Sequence, residues 1–240
     1  MTKILKRGFT KSDEKEFTGK DLEKLKEASK DLLFLINRGY KIKNASTFVG
    51  NHYLLSERQR LALVRGISKD NYVTFRKNKE VSESLKGKKI NIDGFNTIIT
   101  LEVAISNSLI IKTMDDTYRD LAGLRGTYKV IDKTNMAIKL IGDFLSKEEV
   151  SKVTFYLDAP VSNSGRLKER IITILNEYDF DLEVLNINNV DSILSEMENV
   201  VTSDAIILDK CISWVNLNKK IIEENKINKF HIDFNNLING

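Results

Sequence analysis

The sequence predicts an α/β domain with a mostly parallel sheet, preceded by a small all-α domain, on two observations. Beyond residue 88, short apolar runs alternate with stretches of helical period, the rhythm of strand–helix–strand units whose sheet is covered on both faces. Before that point, apolar residues recur only at helical spacing. The charge divides at the same place. Residues 1–88 hold 21 Lys/Arg against 11 Asp/Glu, a net of +10, and residues 89–240 hold 17 against 23, a net of −6. The predicted plan is therefore a basic helical domain with a linker over 1–88 and an acidic α/β domain over 89–240.

In the first part, Leu22, Leu25, Ala28, Leu32, Leu33, Leu35 and Ile36 mark a helix over 20–39, which Gly39 stops. A second helix includes Ala45 to Tyr53. A third runs from Ser56, an N-cap, to about Ile67. From Ser68 to Gly87 the chain is polar with little period and is expected to be the linker. In the second part, strands are expected at 89–93, 109–113, 153–157, 182–187 and 200–203. Helices are expected at 96–106, 135–145, 164–178, 191–197 and within 205–225, with 229–234 closing the sheet. Pro160 follows a strand, where it removes no ladder bond.

Composition excludes several classes. A hydrophobic content of 41% is ordinary for a globular chain, and no run of about 18 apolar residues offers a membrane span. Met1–Arg7 lacks the apolar stretch of a signal peptide, so the expected location is cytoplasmic. A single cysteine, Cys211, rules out an intramolecular disulfide, and His52 and His231 are too few to complete a structural zinc site with it. The basic half suits a polyanion such as RNA, although basic helices also serve simply as solvated faces.

Ligands of open α/β sheets bind outside the carboxyl ends of the strands. Three of the expected strands end in the same residue type, at Asp93, Asp158 and Asp204, and Asp191 opens the helix after a fourth. Gathering carboxylates costs mutual repulsion, and a hard divalent cation such as Mg²⁺ or Mn²⁺ removes that cost. Such an ion activates water and stabilises charge at a phosphoryl centre, which suits phosphodiester hydrolysis. Each Asp taken alone is as well explained as a helix cap.

The ordered set Ile92-Asp93-Gly94-Phe95-Asn96, Tyr156-Leu157-Asp158-Ala159, Val190-Asp191-Ser192 and Val201-Thr202-Ser203-Asp204 resembles the NYN branch of the PIN-like nucleases over about residues 88–225. The resemblance implies a three-layer α/β/α sandwich and metal-dependent cleavage of RNA. It implies Asp93, Asp158 and Asp204 as metal ligands, Asp191 as an assisting carboxylate, and Asn96 as a residue that orients substrate or the first carboxylate. The whole chain also resembles an uncharacterised prokaryotic family that pairs a helical domain with this one. That likeness rests on Leu35–Tyr40, Val49–Leu55 and Asp158–Gly165, and it adds a domain plan but no activity.

Further candidates surround this set. Within the charged, glycine-containing stretch 115–126, Asp116 or Asp120 would add a ligand, and Arg119 or Arg125 would hold a phosphate; an Arg–Asp network at a turn is the alternative. Glu102 is a further carboxylate. Ser162, Asn163 and Ser164 precede a helix and offer hydroxyls and free N–H groups to a phosphate, or merely cap it. In the helical part, Arg58, Arg60 and Arg65, with Tyr40, His52 and Tyr53, are placed to meet RNA or to seal the core. A non-catalytic RNA-binding protein on the same fold is the second functional reading. A haloacid-dehalogenase phosphatase is the third, weakened because Phe95 stands where that mechanism needs a second Asp.

Overall fold

The computed structural model describes residues 5–123 and 126–240. It begins with five helices: α1 (Asp13–Glu16), α2 (Gly19–Asn37), α3 (Ile42–His52), α4 (Glu57–Gly66) and α5 (Asp70–Lys77). The α4 start is locked by a capping box, in which Ser56 Oγ accepts from the Gln59 backbone N–H and the Gln59 side chain accepts from the Ser56 N–H. The last of the five corrects the expected linker. Its apolar period is weak, and a buried charged side chain helps to hold it, beside Val73, which packs on the core of the helices. Arg76, 3% exposed, donates to Asp209 Oδ1 at 2.6 Å and to Asp115 Oδ2 at 2.7 Å. Backbone bonds from Trp214 N to Lys79 O and from Val81 N to Trp214 O then tie the following segment to the neighbouring sheet.

That sheet is built from β1 (Lys89–Asp93), β4 (Lys152–Asp158), β5 (Asp181–Ile187) and β6 (Val200–Val201), all parallel, in the order β5-β4-β1-β6. Strand alternation sends side chains to opposite faces. Ile90, Ile92, Phe155, Leu157 and Val201 join one apolar cluster with α6 (Gly94–Ile105), α7 (Asp132–Lys147) and α8 (Ser164–Leu175). Tyr156 and Val200 join another with α9 (Val190–Leu194), α10 (Ala205–Lys210) and the buried Trp214. The helical region expected within 205–225 is two helices, α10 and α11 (Leu217–Glu224), separated by the Trp214 segment. The chain is thus α/β with a mostly parallel sheet and helices.

A second sheet, in the order β3-β2-β7, joins β2 (Ile110–Lys112), β3 (Tyr118–Asp120) and β7 (His231–Asp233), and α12 (Phe234–Asn239) follows it. The segment expected to close the main sheet therefore pairs elsewhere, with Ile110 to Lys112 opposite His231 to Asp233. Ile111, Ile232 and Phe234 share a core with Leu25, Leu32, Ile36, Val49 and Leu63 of α2, α3 and α4. Gly66 permits this contact: a Cβ there would meet the Phe234 ring at 2.3 Å. No helix among the described residues is long and apolar enough to cross a membrane.

Candidate functional site

In the order β5-β4-β1-β6, the chain leaves β1 toward neighbours on both sides, so a crevice opens at the carboxyl end of β1. Asp93 ends β1, Asp158 ends β4 and Asp204 follows β6. Asp191 lies in the first turn of α9, after β5. All four line one cavity of about 380 Å³, together with Asn96, Ser203, Arg65, Arg119 and Asp120. No ion pair neutralises any of the four among the described residues.

Local sequence explains how each is held. Gly94 lets α6 start directly on β4, because a Cβ there would meet Leu157 Cδ2 at 2.5 Å and Tyr156 O at 3.2 Å. Asp93 is the N-cap of α6, accepting from Asn96 N at 3.4 Å. Since Ile92 lies opposite Val201, the next residue of that strand, Thr202, arrives beside Asp93, and its Oγ1 donates to Asp93 Oδ2 at 2.8 Å. Asp204 caps α10, accepting from Ile206 N at 2.7 Å. Asn96 Oδ1 accepts from Ser203 N at 2.8 Å and from Ser203 Oγ at 2.9 Å, which leaves the amide Nδ2 to donate. The capping role of Asp93 and Asp204 is thus real, and it coexists with their place on the cavity wall.

The electrostatics are those of crowded like charges. Burial, aided by the charges of Asp204 and Asp191, pushes the Asp93 carboxyl from 3.8 up to about 7, against the Thr202 hydrogen bond. Asp158 is raised by burial and by Asp191. Asp191 is raised by burial and by Asp204, with Lys210 opposing. Two arginines line the same cavity. Arg65 of α4 donates to the Asp120 carbonyl and lies 3.7 Å from Asp120 Oδ1. Arg119 lies 3.5 Å from Asp115 Oδ2, and its buried Nη2 has no hydrogen-bond partner among the described residues. Burial would also raise Asp115, but Arg119, Thr113 and Arg76 outweigh it and hold that carboxyl well below the ordinary range.

Other candidates fall elsewhere. Asp116 is not on the cavity wall; it pairs with Lys77 at 2.8 Å and accepts from Asn235 Nδ2 at 3.4 Å. Glu102, fully buried, accepts from Tyr128 Oη at 2.6 Å, from Thr134 and from Arg7 Nε at 2.7 Å, so it ties α6 to α7 and to the segments around Arg7 and Tyr128 and does not line the cavity. Ser162, Asn163 and Ser164 also lie outside it. Asn163, at φ 69°, precedes α8 and donates to Tyr128 O, while Ser164 Oγ accepts from Asn186. Arg58 is committed to Asp13, and Arg60 to the carbonyls of Leu55 and Gly50. Tyr53 donates to Asp31, with His52 edge-on to its ring. Arg125 lies outside the described residues. Sequence reasoning did not single out Thr202 or Ser203 beyond their place in the Thr-Ser-Asp run, although the register of β1 with β6 is what brings both to the site.

A family model described as "Domain of unknown function (DUF5616)" matches residues 82–220, more than half of the chain. The chain belongs to the DUF5616 family. A second model, "Protein of unknown function (DUF434)", matches residues 24–79. "Uncharacterized protein MJ0935" of Methanocaldococcus jannaschii is 38% identical over 185 residues, covering 77% of this chain and 88% of that protein. No solved structure matches the chain. The DUF5616 span holds the four aspartates, Asn96, Ser203 and Arg119, and the DUF434 span holds Arg65. The cavity is therefore walled by residues from both matched regions.

Proposed function

We propose that this DUF5616 protein is a divalent-metal-dependent ribonuclease of PIN-like (NYN-type) α/β/α fold. One observation carries the reading: four aspartates from separate strand ends and a helix start meet on a single cavity, and none of the four is in an ion pair among the described residues. Three of them are raised by burial and by one another. Holding unpaired carboxylates together is unfavourable unless something positive enters among them.

The donor set is all oxygen, which fits Mg²⁺ or Mn²⁺. Asp93, Asp158 and Asp204 would hold the ion, with Asp191 assisting. Among the described residues, no three His, Cys, Asp or Glu side chains are grouped tightly enough to hold a metal as they stand, so the carboxylates would have to close on it. A bound divalent ion supplies an activated water and a Lewis acid for phosphoryl oxygen. The chain's own residues supply orientation. Thr202 fixes Asp93, Ser203 fixes Asn96 so that its Nδ2 is free to donate to a phosphate oxygen, and Arg65 and Arg119 offer guanidiniums across the cavity. RNA as substrate is supported by the +10 charge of residues 1–88, whose Arg65 reaches the acidic cavity.

The test is incubation of structured and single-stranded RNA with Mn²⁺, Mg²⁺ or EDTA, beside Asp93→Asn. Cleavage should need the metal and fall by at least on the order of a hundredfold in the variant, with folding retained. The open spacing of the carboxylates favours a second reading, a non-catalytic RNA-binding protein. RNA binding in EDTA, with no cleavage under any metal, selects it.

A further inference from the structure

We propose that a second, basic cavity beside the first is a phosphate-binding subsite for the RNA strand that enters the carboxylate cavity. The inference deepens the reading above and rests on RNA as the ligand. The cavity measures about 330 Å³ and is lined by Lys6, Arg7, Phe9, Arg58 and Lys129, with no carboxylate residue on its wall among the described residues. Gly123, at φ 64°, lines both cavities, so one turn of chain separates them.

The site is built rather than incidental. Arg7 Nε sits 2.7 Å from Glu102 Oε2, and Glu102 is fully buried. Its backbone N–H donates to Ser106 Oγ at 3.1 Å. Arg58 grips the buried Asp13 and donates to the carbonyls of Gly8 at 2.9 Å and Leu121 at 3.0 Å. These bonds fasten segment 5–10 and the turn after β3 to α4 and α6. Gly8, at φ 70°, lets the segment lie close to α6, because a Cβ there would meet Val103 Cγ2 at 3.0 Å. The two guanidiniums are thus spent on structure. The ammonium groups of Lys6 and Lys129 make no ion pair among the described residues, and both residues are exposed. Lys6 Nζ lies 5.2 Å from the centroid of the Phe9 ring, which is 51% exposed. Two ammonium groups without carboxylate partners and an exposed aromatic ring, over which one of them sits, are groups that hold a strand's phosphates and stack its bases.

Electrostatics gives the subsite its purpose. A cavity lined by Asp93, Asp120, Asp158, Asp191 and Asp204 against Arg65 and Arg119 is net negative, and it repels the phosphates of a polyanion that neither those guanidiniums nor a bound cation neutralises. The neighbouring phosphates need a cationic berth close by, and the Gly123 turn puts one next door.

The test is binding of a labelled single-stranded RNA in EDTA, across a salt series, by wild type and by the double variant Lys6→Ala/Lys129→Ala. Lys139→Ala/Lys229→Ala removes the same charge from exposed positions off both cavities and serves as the control. Each lost phosphate contact lowers the slope of log affinity against log salt by about 0.7 to 1. The subsite variant should lose about 1 to 2 in slope and bind about tenfold or more weakly at low salt, and the control should not. A subsite variant that matches its control, or a wild type without salt-dependent RNA binding, overturns the proposal. Hydrolysis is scored separately with Mn²⁺. Cleavage by wild type with equal RNA affinity in the two double variants rejects the subsite alone. Weakened binding in the subsite variant without cleavage by wild type rejects the nuclease alone.

Discussion

Replacing Asp93 by Asn should make the metal-free protein more stable, and by an amount that grows with pH. In the folded state the Asp93 carboxyl titrates at about 7 rather than at 3.8, chiefly because it is buried. A raised carboxyl binds its proton more tightly in the folded state, so its ionisation costs stability as pH rises from about 4 to about 7, and the cost is constant above that. At about 1.4 kcal/mol per pH unit the full cost is about 4 kcal/mol, of which about 2 to 3 kcal/mol develops between pH 5 and pH 8. The amide cannot ionise, so the variant is spared this loss. It gives up about 1 kcal/mol at all pH values, because Thr202 Oγ1 and Asn96 N both donate to the carboxylate and the amide keeps one acceptor oxygen. Urea denaturation in EDTA at pH 5 and pH 8 reads the difference. Stability of the variant relative to wild type should rise by about 2 to 3 kcal/mol between the two conditions. A relative stability that does not change with pH refutes the claim that a buried, crowded Asp93 is what the fold tolerates here.

Three further outcomes follow from geometry away from the carboxylates. Arg76→Met leaves Asp115, 1% exposed, without its closest guanidinium and should cost about 3 to 5 kcal/mol in denaturant unfolding. Asp115→Asn in the same chain should restore part of that loss. Gly66→Ala drives a methyl into the Phe234 ring and should cost about 1 to 3 kcal/mol, read by thermal unfolding. Asp116→Asn should leave Mn²⁺ affinity in calorimetry and RNA cleavage unchanged, because Asp116 pairs with Lys77 outside the cavity. Losing that partly exposed pair should cost less than about 1 kcal/mol.

Much of the site was legible because strand ends announce themselves. Apolar runs such as Ile90–Ile92 and Phe155–Leu157 stop at an aspartate, and parallel strands put their carboxyl ends at one edge of the sheet. The second sheet was legible only in part: strands were expected at 109–113 and 229–234, where β2 and β7 lie, but β3 and the pairing that joins them were not. β2, β3 and β7 have three residues each, and the pairing of Ile111 with Ile232 joins positions too far apart for any local pattern to show. The α5 helix was hidden for a related reason: its tether is a buried arginine with partners at 115 and 209, and Arg76 reads in sequence as a surface charge. Asp116 and Asp120 look equivalent in a charged run, yet the strand between them carries Asp120 to the cavity wall and leaves Asp116, at φ 64°, facing Lys77.

The pairing of β2 with β7 also orders events during synthesis. The core of the N-terminal helices includes Ile232 and Phe234, with Leu237 and Ile238 packed against it. Those helices leave the ribosome well before the residues of β7 and α12 that complete their core. Until then the core shared by α2, α3 and α4 lacks Ile232 and Phe234, while the four-stranded sheet, complete by residue 201, has all its strands in hand. Vectorial folding should therefore complete the four-stranded sheet before the helical module that precedes it, which stays open to chaperones for longer.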